Sequence, residues 1–122
     1  MDKKELAVQY KHSGMNCAQA VLAAYAEELG IDLETAQALG AGFGAGMGTM
    51  GGTCGALCGA QMALGMKNKG KPVMRQARSL YDAFLSQCGA TVCAEIKGVT
   101  TGRMLCSCDQ CVAVATELAE AL

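Results

Sequence analysis

Eight cysteines in 122 residues are the chemistry this chain offers: Cys17, Cys54, Cys58, Cys88, Cys93, Cys106, Cys108 and Cys111. Thiolates are soft ligands that select iron–sulfur clusters, zinc or copper(I) over hard ions, and they are also the nucleophiles of disulfide exchange. Only Cys108-Asp109-Gln110-Cys111 has the CxxC spacing. A zinc ribbon needs two such pairs, and a thioredoxin-like site needs its CxxC between a strand and a helix. Scattered cysteines on different helices can still converge on one end of a bundle. The alternative is packing alone, because free cysteine is among the most buried residue types and suits an alanine-rich core.

Other catalytic constellations are missing. His12 is the only histidine and sits in a polar stretch, so neither a Ser-His-Asp set nor a Cys-His pair is evident, and no CxxCH motif exists to attach a haem. Gly46-Met47-Gly48-Thr49-Met50-Gly51 satisfies GxGxxG but lacks the preceding strand and the later acid of a dinucleotide site, and no Gly-Lys-Ser/Thr marks a P-loop. No nucleotide is expected. Met47, Met50, Met62, Met66 and Met74 bring copper(I) to mind, yet methionine at helical spacing reads as core filler.

The elements that must position the thiols are helical, since no stretch alternates β-branched or aromatic residues with polar ones. The expectation is an all-α, single compact bundle of about six helices with a glycine-rich loop, spanning residues 1–122 as one domain. A short helix runs from about Lys3 to His12. Asn16 caps a second, whose stripe Ala18, Val21, Leu22, Tyr25, Ala26 and Leu29 is a buried face ended by Gly30. Asp32 caps a third, to about Gly42, after which glycines at nearly every second position favour a loop. Helix resumes from about Thr53 to Met66, with Cys54, Cys58 and Met62 on one stripe. Pro72 opens the next, with Val73, Ala77, Leu80, Tyr81, Phe84 and Cys88 on one face. Thr91 caps a short helix carrying Cys93 and Ile96. A last helix, from about Leu105 to Leu122, turns Cys108, Cys111, Val112, Ala115, Leu118 and Leu122 inward.

Ten basic against eleven acidic residues leave a net charge of −1, so no overall field draws the chain to nucleic acid or an anionic membrane. The uncharged stretch between Glu34 and Lys67 is too rich in glycine and too poor in bulky apolar residues for a membrane helix. The charged start, Met1-Asp2-Lys3-Lys4-Glu5, lacks the apolar region of a secretory signal, which points to the cytoplasm and to reduced thiols. Charge is nevertheless uneven. Lys67, Lys69, Lys71, Arg75 and Arg78 fall together, as a solvated face or as a patch that steers an acidic redox partner. No nucleic-acid partner is expected, and the alanine- and glycine-rich faces suit a homodimer.

The segments Asn16-Cys17-Ala18-Gln19-Ala20-Val21-Leu22 and Gly52-Thr53-Cys54-Gly55-Ala56-Leu57-Cys58-Gly59-Ala60 resemble the C-GCAxxG-C-C family, described as redox-active. The resemblance covers nearly the whole chain and implies a helical domain with four recurrent cysteines. Cys17 fits the first position, Cys54 the central motif, Cys93 the third and Cys108 the fourth, with Cys106 and Cys111 close by; Cys58, Cys88 and Cys111 are additional to the pattern. The family is also similar to the helical portion of split-Soret-type cytochromes c, in which cysteines hold an iron–sulfur cluster. The resemblance therefore implies a cofactor- and metal-binding site at Cys17, Cys54, Cys93 and Cys108 for electron transfer with a redox partner. A thiol–disulfide redox protein is the alternative, with Cys54 or Cys17 as the redox-active thiol, because a helix start favours a thiolate. A zinc-stabilised interaction module on the same four ligands is third. Gly55 and Gly59, one turn apart, leave a bare surface for another helix or a cluster.

Overall fold

The computed structural model describes residues 1–122 and contains α1 (Lys3–His12), α2 (Cys17–Leu29), α3 (Leu33–Gly40), α4 (Gly44–Met47), α5 (Gly55–Lys67), α6 (Met74–Cys88), α7 (Cys93–Lys97) and α8 (Cys108–Glu120). The α4 segment is a single turn in which Ala45 and Gly46 take left-handed backbone, so the chain has seven true helices rather than about six. The all-α expectation holds.

Helix α2 is the centre, packed by α1, α3, α5 and α8. Ala20 to Ala26 are buried without a break, a wider burial than the single stripe read from the sequence. The reason is the run of alanines: with only a methyl group each, Ala20, Ala23 and Ala24 let neighbours close in from every side. A Cβ built on Gly59 of α5 falls 2.7 Å from the Ala18 carbonyl oxygen, and one on Gly55 falls 2.7 Å from the Phe43 carbonyl oxygen and 3.3 Å from the Ala18 nitrogen. It is another helix, α2, that rests on the bare glycine surface.

Polar groups fix the register of these helices. Asn16 and Gln19 form a capping box at the start of α2, and their side-chain amides donate to the carbonyls of Gly40 (3.2 Å) and Gln37 (3.0 Å) on α3. Buried Tyr25 donates its hydroxyl to the Thr116 carbonyl of α8 at 2.6 Å, with the Lys3 and Lys67 ammonium groups 5.7 and 5.9 Å from its ring centre. His12 is a surface residue as expected, and it pairs with Asp109 at 2.6 Å, tying the end of α1 to the start of α8.

Helix limits move by up to three residues from the sequence reading. Cys54 lies just before α5, not on its stripe; Val73 and Val92, not Pro72 and Thr91, precede α6 and α7. α8 starts at Cys108, where Ser107 accepts the Gln110 amide, and it ends at Glu120, so Leu122 is exposed instead of facing inward.

Candidate functional site

A short antiparallel contact sets two of the thiols. Thr53 and Val92 form an isolated bridge, in which the Cys54 amide donates to the Thr91 carbonyl (2.7 Å) and the Cys93 amide to the Gly52 carbonyl (2.9 Å). The bridge places Cys54 at the start of α5 beside Cys93 at the start of α7. The capping box holds Cys17 at the first residue of α2, and Cys108 begins α8. These four residues, each at a helix start, line one pocket of about 370 Å³ together with Lys11, Asn16, Ala45, Gly46, Met50, Gly55 and Lys97. Cys54 and Cys93 form its buried part; Cys17 and Cys108 are half-buried and bring it to the surface.

The glycine-rich loop supplies the remaining wall. Ala45, Met47 and Met50 hold left-handed backbone, an arrangement that costs about 1–3 kcal/mol per residue and that concentrates where a site is being shaped. Gly46 also has positive φ, and a Cβ there would stand 2.5 Å from the Cys93 Cβ. Glycine is required at this point by both backbone and space. The loop is thus part of the site and not a spacer.

Four thiols and two lysines meet here with no carboxylate on the wall. The Cys54 thiol is lowered to about 6: the Cys111 thiol donates to it, which outweighs its burial, and the Ala56 and Leu57 amides and Lys97 add to the effect. Cys17 behaves differently from the expectation that both helix-start thiols ionise easily. It is pushed up to about 12 by burial and by the neighbouring Cys108 and Cys54. At the helix start itself, Asn16 and not Cys17 occupies the capping position and accepts the Gln19 amide, whereas Cys54 stands at the cap of α5. Burial and then Cys54 push Cys93 up. Burial opposes the charge on Lys97, yet contact with Cys108, then the Cys111 and Cys17 thiols, hold its ammonium above the usual lysine range.

A second thiol group lies behind the first. Cys88 at the end of α6, Cys106 in the loop before α8 and Cys111 inside α8 are 1%, 4% and 0% exposed, and their sulfurs all lie within 4.8 Å of one another, close enough to hold a metal ion. Cys106 Sγ is 3.4 Å from Cys88 Sγ. Burial and then Cys106 push Cys88 up to about 12, and Cys111 is raised by its hydrogen bond to Cys54 and by burial. The CxxC pair is therefore divided: Cys108 faces the pocket and Cys111 the buried group. Cys58 joins neither, its thiol directed at the Thr53 carbonyl (3.8 Å) beside a hollow shared with Met62 and Tyr81.

Sequence reasoning treated Cys88 and Cys111 as extras and did not single out Lys11 or Lys97. The inward faces of α6 and α8 carry a signal for Cys88 and Cys111. Cys106, in an irregular loop, has no periodicity to reveal it.

Fold and site together define a small all-α, cysteine-rich protein with a thiol cluster that could hold a metal ion. Residues 15–122 match the family described as "Putative redox-active protein (C_GCAxxG_C_C)", and the chain belongs to that family. No curated protein and no solved structure matches it.

Proposed function

We propose that the pocket of Cys17, Cys54, Cys93 and Cys108 holds an iron–sulfur cluster and that the protein transfers electrons. The observation that carries this reading is the meeting of four thiols, from four helix starts, on one pocket that also contains two lysines. The donor set fits: all-sulfur ligation is what iron–sulfur clusters take, and hard ions would call for oxygen ligands. A bound cluster supplies a one-electron redox change.

The chain's own residues do the rest. The four cysteines supply thiolates, and Lys11 and Lys97 offset the negative charge that thiolate ligation brings. Buried Cys54 and Cys93 keep water from the inner side, while half-buried Cys17 and Cys108 leave an edge near the surface for a redox partner. The basic run from Lys67 to Arg78 suits an acidic protein partner, and four free thiols suit a reducing compartment such as the cytoplasm. The likeness to the helical portion of split-Soret-type cytochromes c points the same way.

Cys→Ser substitution at each position tests the reading. Loss of visible absorption in anaerobically purified Cys17→Ser, Cys54→Ser, Cys93→Ser and Cys108→Ser, with colour retained in Cys58→Ser and Cys88→Ser, is the expected result. Colour indifferent to all four, in folded variants, would overturn it. The lowered Cys54 thiol beside Cys111 favours a second reading, thiol–disulfide exchange with Cys54 as nucleophile. It requires a mixed disulfide trapped on Cys54 when Cys111 is replaced by serine. A colourless protein with stoichiometric zinc, unfolding in chelator, would make the site structural instead.

A further inference from the structure

We infer that Cys88, Cys106 and Cys111 form a second metal site, separate from the pocket, that takes a soft monovalent ion of the copper(I) type in three-sulfur coordination. None of the three lines the pocket, and they come from α6, the loop before α8, and α8 itself. With metal–sulfur bonds of about 2.3 Å, three sulfurs around one ion stand about 4 Å apart. The observed spacing, 3.4 Å for Cys88 and Cys106 and within 4.8 Å for all three, needs only small side-chain shifts.

The number and kind of donors select the ion. The group contains only sulfur and is sealed at 0–4% exposure, so water is not at hand to complete a larger shell. Structural zinc takes four ligands, and the further thiol that Cys111 contacts, Cys54, belongs to the pocket wall. Copper(I) prefers soft sulfur donors, is satisfied by three, and in a dry shell is shielded from oxidation. Binding displaces thiol protons to solvent. Lys97, whose ammonium lies 3.4 Å from the Cys106 carbonyl oxygen, is placed to offset part of the resulting negative charge. The second site adjoins the pocket through Lys97 and the Cys111–Cys54 contact, but none of its three ligands is among the pocket's four.

The test uses the full chain with the pocket disabled by Cys17→Ser and Cys108→Ser, checked for folding by circular dichroism. Copper(I) is added anaerobically as its acetonitrile complex, in competition with a chromophoric copper(I) chelator. The expected result is one copper per chain with three sulfur neighbours by X-ray absorption. Cys88→Ala in that background should weaken binding by more than about 100-fold, beyond what loss of an outer-shell partner costs, and Cys58→Ala should leave it unchanged. Cys106→Ala, in a loop, makes the same test should Cys88→Ala fail to fold. The site is overturned if the folded chain competes for no copper, if binding survives both alanine variants, if resident zinc resists displacement by copper(I), or if anaerobic protein carries a Cys88–Cys106 disulfide.

Discussion

At Cys54 a thiol occupies the place where a helix ordinarily has a serine or aspartate oxygen, and the Ala56 and Leu57 amides add to the lowering of that thiol that Cys111 leads. In the reduced, metal-free chain its alkylation by iodoacetamide should rise through a midpoint near pH 6, set by its lowered thiol. A midpoint in the ordinary thiol range would contradict this. The sign for stability follows from the same shift. A lowered thiol stabilises the fold above its unfolded value of 9.0, and that contribution is lost as pH falls towards 6. Cys17 and Cys88, raised to about 12, do the reverse and withdraw stability as pH rises from 9 towards 12. The metal-free chain should therefore melt at lower temperature above pH 9, as a thermal scan at pH 8 and pH 10 would read. Gly46→Ala belongs at this scale too: its Cβ meets Cys93, so colour should be lost from anaerobic protein while helicity is retained.

Among the elements, the contact of α2 with α5 decides where Cys17 and Cys54 sit relative to each other. Gly59→Ala drives a methyl group against the Ala18 carbonyl, backbone that yields little, and should cost about 1–3 kcal/mol by denaturant unfolding. Tyr25→Phe, which removes the hydrogen bond from α2 to α8, should cost about 1 kcal/mol. Caps and apolar spacing made much of this level legible: Asn16 and Asp32 cap as expected, and Gly30, Gly89 and Gly98 end their helices in left-handed backbone. Periodicity failed where packing overrode it. The methyl groups of α2 are buried all round, so a stripe understates its burial. The start of α5 was misjudged because Thr53 is held in a bridge to Val92, a pairing distant in sequence that no local pattern announces.

For the whole molecule, family resemblance singled out Cys17, Cys54, Cys93 and Cys108, and the fold lines one pocket with them, each at a helix start that periodicity alone did not give for Cys108. The charges beside them were not. Lys11 lies in the last turn of α1 and Lys97 ends α7, and only the tertiary fold brings both to the thiols. The buried Cys88, Cys106 and Cys111 group was hidden for a similar reason, with one member in a loop. The central claim is cluster ligation in the pocket, and it is met most directly by anaerobic purification followed at once by a visible spectrum, with iron, acid-labile sulfide and zinc counted per chain. Brown protein with matched iron and sulfide is the predicted result. A colourless, folded chain without iron or sulfide would contradict it.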